Sequence, residues 1–184
     1  EGLLPAERLL YWLQDEAGGV TSPGGVAGLL RVMVEAEDLE TKALCLQMLY
    51  RGRENKATMR AFVAKGGLGV LKHWALQTMA LGAAEEVVPM AKLIIQVARA
   101  CPVGYQELKS SEIAKAMKKM NKHANAEVKR GAKQLIAQWK SGITEEDATR
   151  CMVEEKAARE RLDCVHERHE RLLMAARADA AKAK

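Results

Sequence analysis

From Ser110 to Ile143 apolar residues recur at helical spacing on both sides of a short polar hinge, and this stretch limits the fold more than any other. Ile113, Met117 and Met120 fall at i, i+4 and i+7, so one face of a first helix is apolar. Val128, Ala132, Leu135, Ile136 and Trp139 repeat that spacing along a second helix. Between them Asn121-Lys122-His123-Ala124-Asn125 is turn-like, and Asn125 is placed to cap the second helix. Gly142 falls where a left-handed residue past the helix end is expected. Two such apolar faces need a core, which the preceding residues must supply.

Those residues read as a run of short helices. The first is predicted over 5–16, with Pro5 in its first turn and Leu9, Leu10, Trp12 and Leu13 as its stripe. Breaks at Gly18-Gly19 and Ser22-Pro23-Gly24-Gly25 lead to a second helix over 25–36, in which Val26, Leu29, Leu30, Met33 and Val34 are expected to pack. Further helices are expected over 39–51, 56–65, 68–80 and 85–100, punctuated by Gly52, Gly66-Gly67, Gly82 and Pro102. Residues 103–109 are expected to form a loop into the opening pair. Short helices with brief connections imply antiparallel pairs. The absence of a fixed-period repeat favours a compact bundle over a solenoid.

Composition agrees. Apolar residues make up 48% of the 184-residue chain and aromatics only 4%, so the core must be built of Leu, Val, Ile, Met and Ala, which favour helices. Strict alternation and β-branched runs are scarce, and an all-α protein is expected. No run of apolar residues is long enough to span a membrane. The chain opens at Glu1-Gly2, without Met or a leader pattern, and is expected to be a fragment of something longer. Cys45, Cys101, Cys151 and Cys164 are scattered through helical patterns, as free buried thiols of a reducing compartment would be.

Charge is unevenly spread. Nine Lys or Arg residues lie between Lys109 and Lys140 against only Glu112 and Glu127, a local excess larger than the +5 of the whole chain. Such a face can meet nucleic acid or an acidic peptide, or simply be solvated. After Thr144 the texture changes to an Ala-, Glu- and Arg-rich stretch without Gly or Pro. It is expected to be one long helix, capped by Thr144 with Glu145, Glu146 and Asp147 at the positive end of its dipole. A weak heptad runs through Ala158, Leu162, Val165, His169, Leu172 and Ala176. A helix folded back on the bundle, a coiled-coil arm and a projecting solvated helix all fit the pattern.

Ser111 to Met120, Lys122-His123 and Leu135-Ile136-Ala137-Gln138-Trp139-Lys140 together resemble the closing helices of the N-terminal domain of transcription elongation factor S-II (TFIIS). Lys65-Gly66-Gly67-Leu68-Gly69-Val70-Leu71-Lys72-His73-Trp74 resembles the turn and helix that enter this domain in larger members, such as the elongation factor partner Iws. The resemblance covers about 57–143, with 1–56 as an N-terminal helical lobe and 144–184 as the long C-terminal helix. It implies a compact right-handed bundle that acts in the nucleus as a docking module. Its partners would be short disordered motifs, carrying an apolar anchor and acidic neighbours, in transcription elongation or chromatin proteins.

In that family two adjacent inter-helix loops make the contact. On this chain they correspond to Gly82, Ala83, Ala84, Glu85, Glu86 and Val87, and to Asn121, Lys122, His123, Ala124 and Asn125. Lys118, Lys119 and Lys122 would draw the acidic flanks of the motif. Some members carry an aromatic where this chain has His123, which reads as either a contact or an exposed loop side chain. Trp74 and Trp139 read as core.

No catalytic constellation, cofactor motif or metal site is expected. Gly66-Gly67-x-Gly69 lacks a preceding strand, and Cys164 and His166 point to nearly opposite sides of a helix, which leaves His166 and His169 as a pair too few for a site. The competing classes are a basic nucleic-acid-binding face, with weak contact at most in the docking reading, and a scaffold acting through the last helix. A monomer is expected.

Overall fold

Side-chain caps set most of the helix starts. In the computed structural model, which describes residues 6–20, 22–82 and 84–182, α1 (Ala6–Leu13) is shorter than its pattern, and Pro5 lies outside the described residues. Ser22 Oγ accepts from the Gly25 N–H at 3.0 Å and Pro23 fills the first helical position, so α2 (Pro23–Glu35) begins earlier than periodicity predicts. Asp38 Oδ1 accepts from the Thr41 N–H at 2.7 Å at the head of α3 (Leu39–Arg51). A 3₁₀ turn (Gly52–Glu54) leads to α4 (Lys56–Ala64), whose first N–H groups, those of Ala57 and Thr58, are taken by Asn55 Oδ1.

Gly66, at φ 86°, turns the chain from α4 into α5 (Gly67–Leu81), a left-handed conformation that side chains resist. A Cβ on the next residue, Gly67, would fall 2.4 Å from the buried Phe62 ring. Then come α6 (Val87–Ala100), α7 (Tyr105–Ser111), α8 (Ile113–Met120), α9 (Ala126–Gly142) and α10 (Glu145–Lys182). No strand occurs among the described residues, and the fold is an all-α bundle.

Other expectations change as well. The 103–109 loop is mostly α7, begun by the Glu107 carboxylate accepting from the Gly104 N–H at 3.0 Å. Glu112, left-handed at φ 56°, separates α7 from α8, so the first helix of the opening pair starts at Ile113. Gly142 is the last residue of α9 and has no positive φ. Trp12 (77% exposed) and Val34 (70%) face water, because α1 buries Leu10 and α2 turns Val26, Leu29 and Met33 inward.

One compact unit spans Glu1–Gly142. Its first half packs α2 against α4, α1 and α3. Its second half packs α5, α6, α8 and α9, and α3 lies along α6. Trp74, Phe62 and Ile94 are among the largest fully enclosed side chains, each contributing roughly 1.5–3 kcal/mol by burial. Trp74 and Trp139 are both core, as their helical positions predict. Burial pushes the Cys45 and Cys101 thiols up to about 12. Cys164, in contrast to the buried thiol expected, is exposed, and the Cys151 side chain lies outside the described residues.

The second unit, Ile143–Lys184, contains α10. Thr144 caps it as expected: its Oγ accepts from the Asp147 N–H at 3.1 Å, and the Asp147 carboxylate accepts from the Thr144 hydroxyl at 2.8 Å. Met152, Leu162, Val165 and Leu172 are exposed along it. Among the described residues no helix is long and apolar enough to cross a membrane.

Gly67 and its neighbour Gly69 differ in what an added Cβ would meet. Gly67→Ala must displace a fully buried ring and should cost about 1–3 kcal/mol. Gly69→Ala, with no atom within 4 Å of the added carbon, should gain roughly 0.5–1 kcal/mol. Urea midpoints that moved together would refute the close packing at Gly67.

The Asp38 carboxyl is held below its usual range chiefly by the Thr41 N–H. Its stabilisation is therefore complete above the unfolded value of about 3.9, and fades as pH falls through the lower folded value. Asn caps as well as Asp but does not titrate. Asp38→Asn should leave the neutral melting temperature nearly unchanged and make its fall in acid shallower.

Candidate functional site

Two cross-helix contacts fix which end of the bundle the inter-helix loops share. Lys92 on α6 pairs with Glu127 on α9, and Arg99 donates to Gln134 Oε1 at 3.4 Å. Both pairs span the same 35 residues, so α6 and α9 run parallel with their starts about one turn apart. The α5–α6 and α8–α9 loops feed those starts and therefore lie at one end. On the other pair, Lys72 of α5 reaches the carboxylate of Glu112, at the head of α8, at 3.2 Å.

Of the residues in the first loop, Gly82 (φ 79°), Ala84, Glu85 and Glu86 are exposed, while Ala83 lies outside the described residues. Val87 is buried and belongs to the core. At the second loop Lys118, Lys119, Lys122 and Ala124 are exposed, and Asn121 and Asn125 are half-buried. Asn125 caps α9 as its sequence position predicts, with Oδ1 accepting from the Glu127 and Val128 N–H groups at 3.0 and 3.2 Å.

His123 is only 4% exposed, so it is neither of the surface side chains that its place in a polar hinge implied. Its Nδ1 accepts from the Asn125 N–H at 3.0 Å, which leaves the ring proton on Nε2. That nitrogen and Asn121 Oδ1 are both buried without a hydrogen-bond partner. The imidazole therefore braces the hinge from inside, and the exposed chemistry is left to the lysines.

The charge there is unbalanced. Glu112 is engaged by Lys115 and Lys72, and Glu127 by Lys92; these cations hold both carboxyls below the usual range. Among the described residues no anion pairs with Lys118, Lys119 or Lys122. The local positive excess of the sequence thus persists at the hinge.

A third corner reaches the same end, and sequence reasoning gave it no role. Lys42 of α3, 6% exposed, donates to the Glu37 carbonyl at 2.9 Å and to Gln77 Oε1 of α5 at 3.1 Å, and sits 6.0 Å over the Trp74 ring. This clamp sets the α2–α3 turn beside the end of α5. Between them lies a groove of about 460 Å³ lined largely by apolar surface, including Leu39, Ala80, Leu81 and Met90, with Glu37 and Asp38 at its edge. The sequence signal was a lysine inside an apolar helical face, which periodicity alone treats as solvent-facing.

Removing the brace should be felt in stability. His123→Ala leaves the Asn125 N–H unpaired and should cost about 1–3 kcal/mol, whereas Lys119→Glu should stay within about 0.5 kcal/mol. Equal denaturation midpoints for the two variants would contradict the buried position of His123.

Comparison with curated proteins gave no match. Residues 90–143, under a third of the chain, match the family model Med26, a TFIIS helical bundle-like domain. The match runs from within α6 to just past α9, so it includes the α8–α9 hinge and leaves the α5–α6 loop outside. The family is one of non-catalytic, transcription-related protein-interaction modules. The helices that carry the basic hinge are thus those over which this chain is similar to a TFIIS helical bundle-like domain, the family that its sequence motifs resemble.

Proposed function

We propose that the loop end of this bundle docks short disordered motifs of nuclear transcription elongation or chromatin factors. The observation that carries the reading is three exposed lysines without anionic partners, Lys118 and Lys119 in the last turn of α8 and Lys122 in the hinge after it. A motif of acidic residues around an apolar anchor is steered there by charge, then held by burial of the anchor. The half-buried Asn125 cap and the buried His123 fix the hinge, so less ordering entropy is lost on binding. No step of this role requires catalysis, a cofactor or a metal ion.

A second reading has its own observation: Lys129, Lys133 and Lys140 are exposed on α9 beyond the hinge. Nucleic acid would use that whole basic face, and its binding would fall steeply with salt whatever the base sequence.

The test is capture from nuclear extract with the intact chain and with a Lys118→Glu, Lys119→Glu, Lys122→Glu variant, each treated with nuclease. Each exposed ion pair lost is worth about 0.2–1 kcal/mol, so the triple variant should bind its protein partners roughly tenfold more weakly. Partners retained equally by both chains would overturn the docking reading. Loss of all captured material to nuclease would favour the nucleic-acid face.

A further inference from the structure

The groove at the α2–α3 corner differs in charge from the hinge at the same end. Glu37 and Asp38 line it, and Glu35, Glu40, Glu85 and Glu86 are exposed on the flanking elements. Among the described residues no cation pairs with Glu37, Asp38, Glu85 or Glu86, while Arg31 is taken by Glu35 at 3.8 Å. Lys42, the cation that lines the groove, does not neutralise the rim. Its ammonium is spent on a backbone carbonyl and an amide oxygen, not on a carboxylate. An apolar trough with an acidic rim thus stands at the end of the bundle that also carries the hinge lysines.

An uncharged or acidic segment gains nothing from that rim. A segment with Lys or Arg beside an apolar side chain satisfies both features, since the anchor leaves water and the neighbouring cations face Glu37 and Asp38. Leu81, 56% exposed at the lip, offers unsatisfied apolar surface to such an anchor. The Lys42 clamp holds the wall in place before the ligand arrives.

We propose that this groove seats an apolar side chain of the docked motif at a point where the motif is basic. One ligand then runs from the acidic corner at Glu37 and Asp38 to the hinge lysines with opposite charge in its two halves. The inference rests on the docking reading above and adds the chemistry of the half that does not meet the lysines. It also gives the N-terminal helices a part in recognition. The two ends of the ligand are told apart by charge, so it binds in one direction.

The experiment is selection of a displayed library of random linear peptides on the intact chain, followed by fluorescence anisotropy of the enriched peptides on three variants. Leu81→Lys and Glu37→Lys alter exposed side chains of the groove and its rim, and the triple Lys→Glu variant alters the hinge. Enriched peptides should carry an apolar residue next to Lys or Arg, with acidic residues on the other side. Leu81→Lys and Glu37→Lys should each weaken them about tenfold, or ~1.4 kcal/mol. Peptides shortened to the basic and apolar half should ignore the hinge variant.

Enrichment of purely acidic-flanked anchors, sensitive to the hinge variant and indifferent to Leu81→Lys, would overturn this inference and leave the docking reading standing. Basic-flanked peptides indifferent to both groove variants would overturn it as well. If no anchored peptide is enriched, both readings fail.

Discussion

Everything in the larger unit depends on burying one broad face of α6. Met90, Ala91, Ile94, Ile95, Val97 and Ala98 are all enclosed, and the helix lies against α3, α5 and α9. An apolar face that wide cannot be covered by one neighbour. It gathers the N-terminal helices on one side and the S-II-like helices on the other. That shared packing aligns α6 with α9 and brings three chain corners to one end.

Charge is then sorted across that end by what each element can spare. The acids within the basic segment are consumed by cross-helix pairs to Lys72 and Lys92, which leaves the hinge lysines uncompensated. At the opposite corner the local lysine is drawn inward to cap a carbonyl and lie over Trp74, so the acids remain uncompensated. Both surfaces arise because other contacts took the counter-charges.

Much of this was legible in the residues. The helical period of 113–139 gave the two closing helices, Asn125 and Thr144 their caps, and Trp74 and Trp139 their buried places. Less local features were hidden. α7 escaped because Pro102 and Gly104 read as loop, although Glu107, three residues after Gly104, is the side chain that begins it. Trp12 and Val34 were read inward because an amphipathic stripe gives a direction only once its neighbours are known. His123 looked exposed because polar hinges usually are, and the bond its buried ring makes is to a backbone N–H two residues on, which periodicity does not encode. The groove at Lys42 required the meeting of residues far apart in the chain, which no periodicity encodes.

The family match opens at Met90, inside α6, and so divides the most enclosed helix of the unit. Residues before that point supply α3 and α5, which cover two of its sides. A chain cut at the start of the match would present Ile94, Val97 and Ala98 to water and forfeit the first turn of α6. The stretch by which this molecule is recognised is therefore shorter than the stretch that must be inherited intact. α3 and α5 thus complete a core that the matched residues do not contain by themselves.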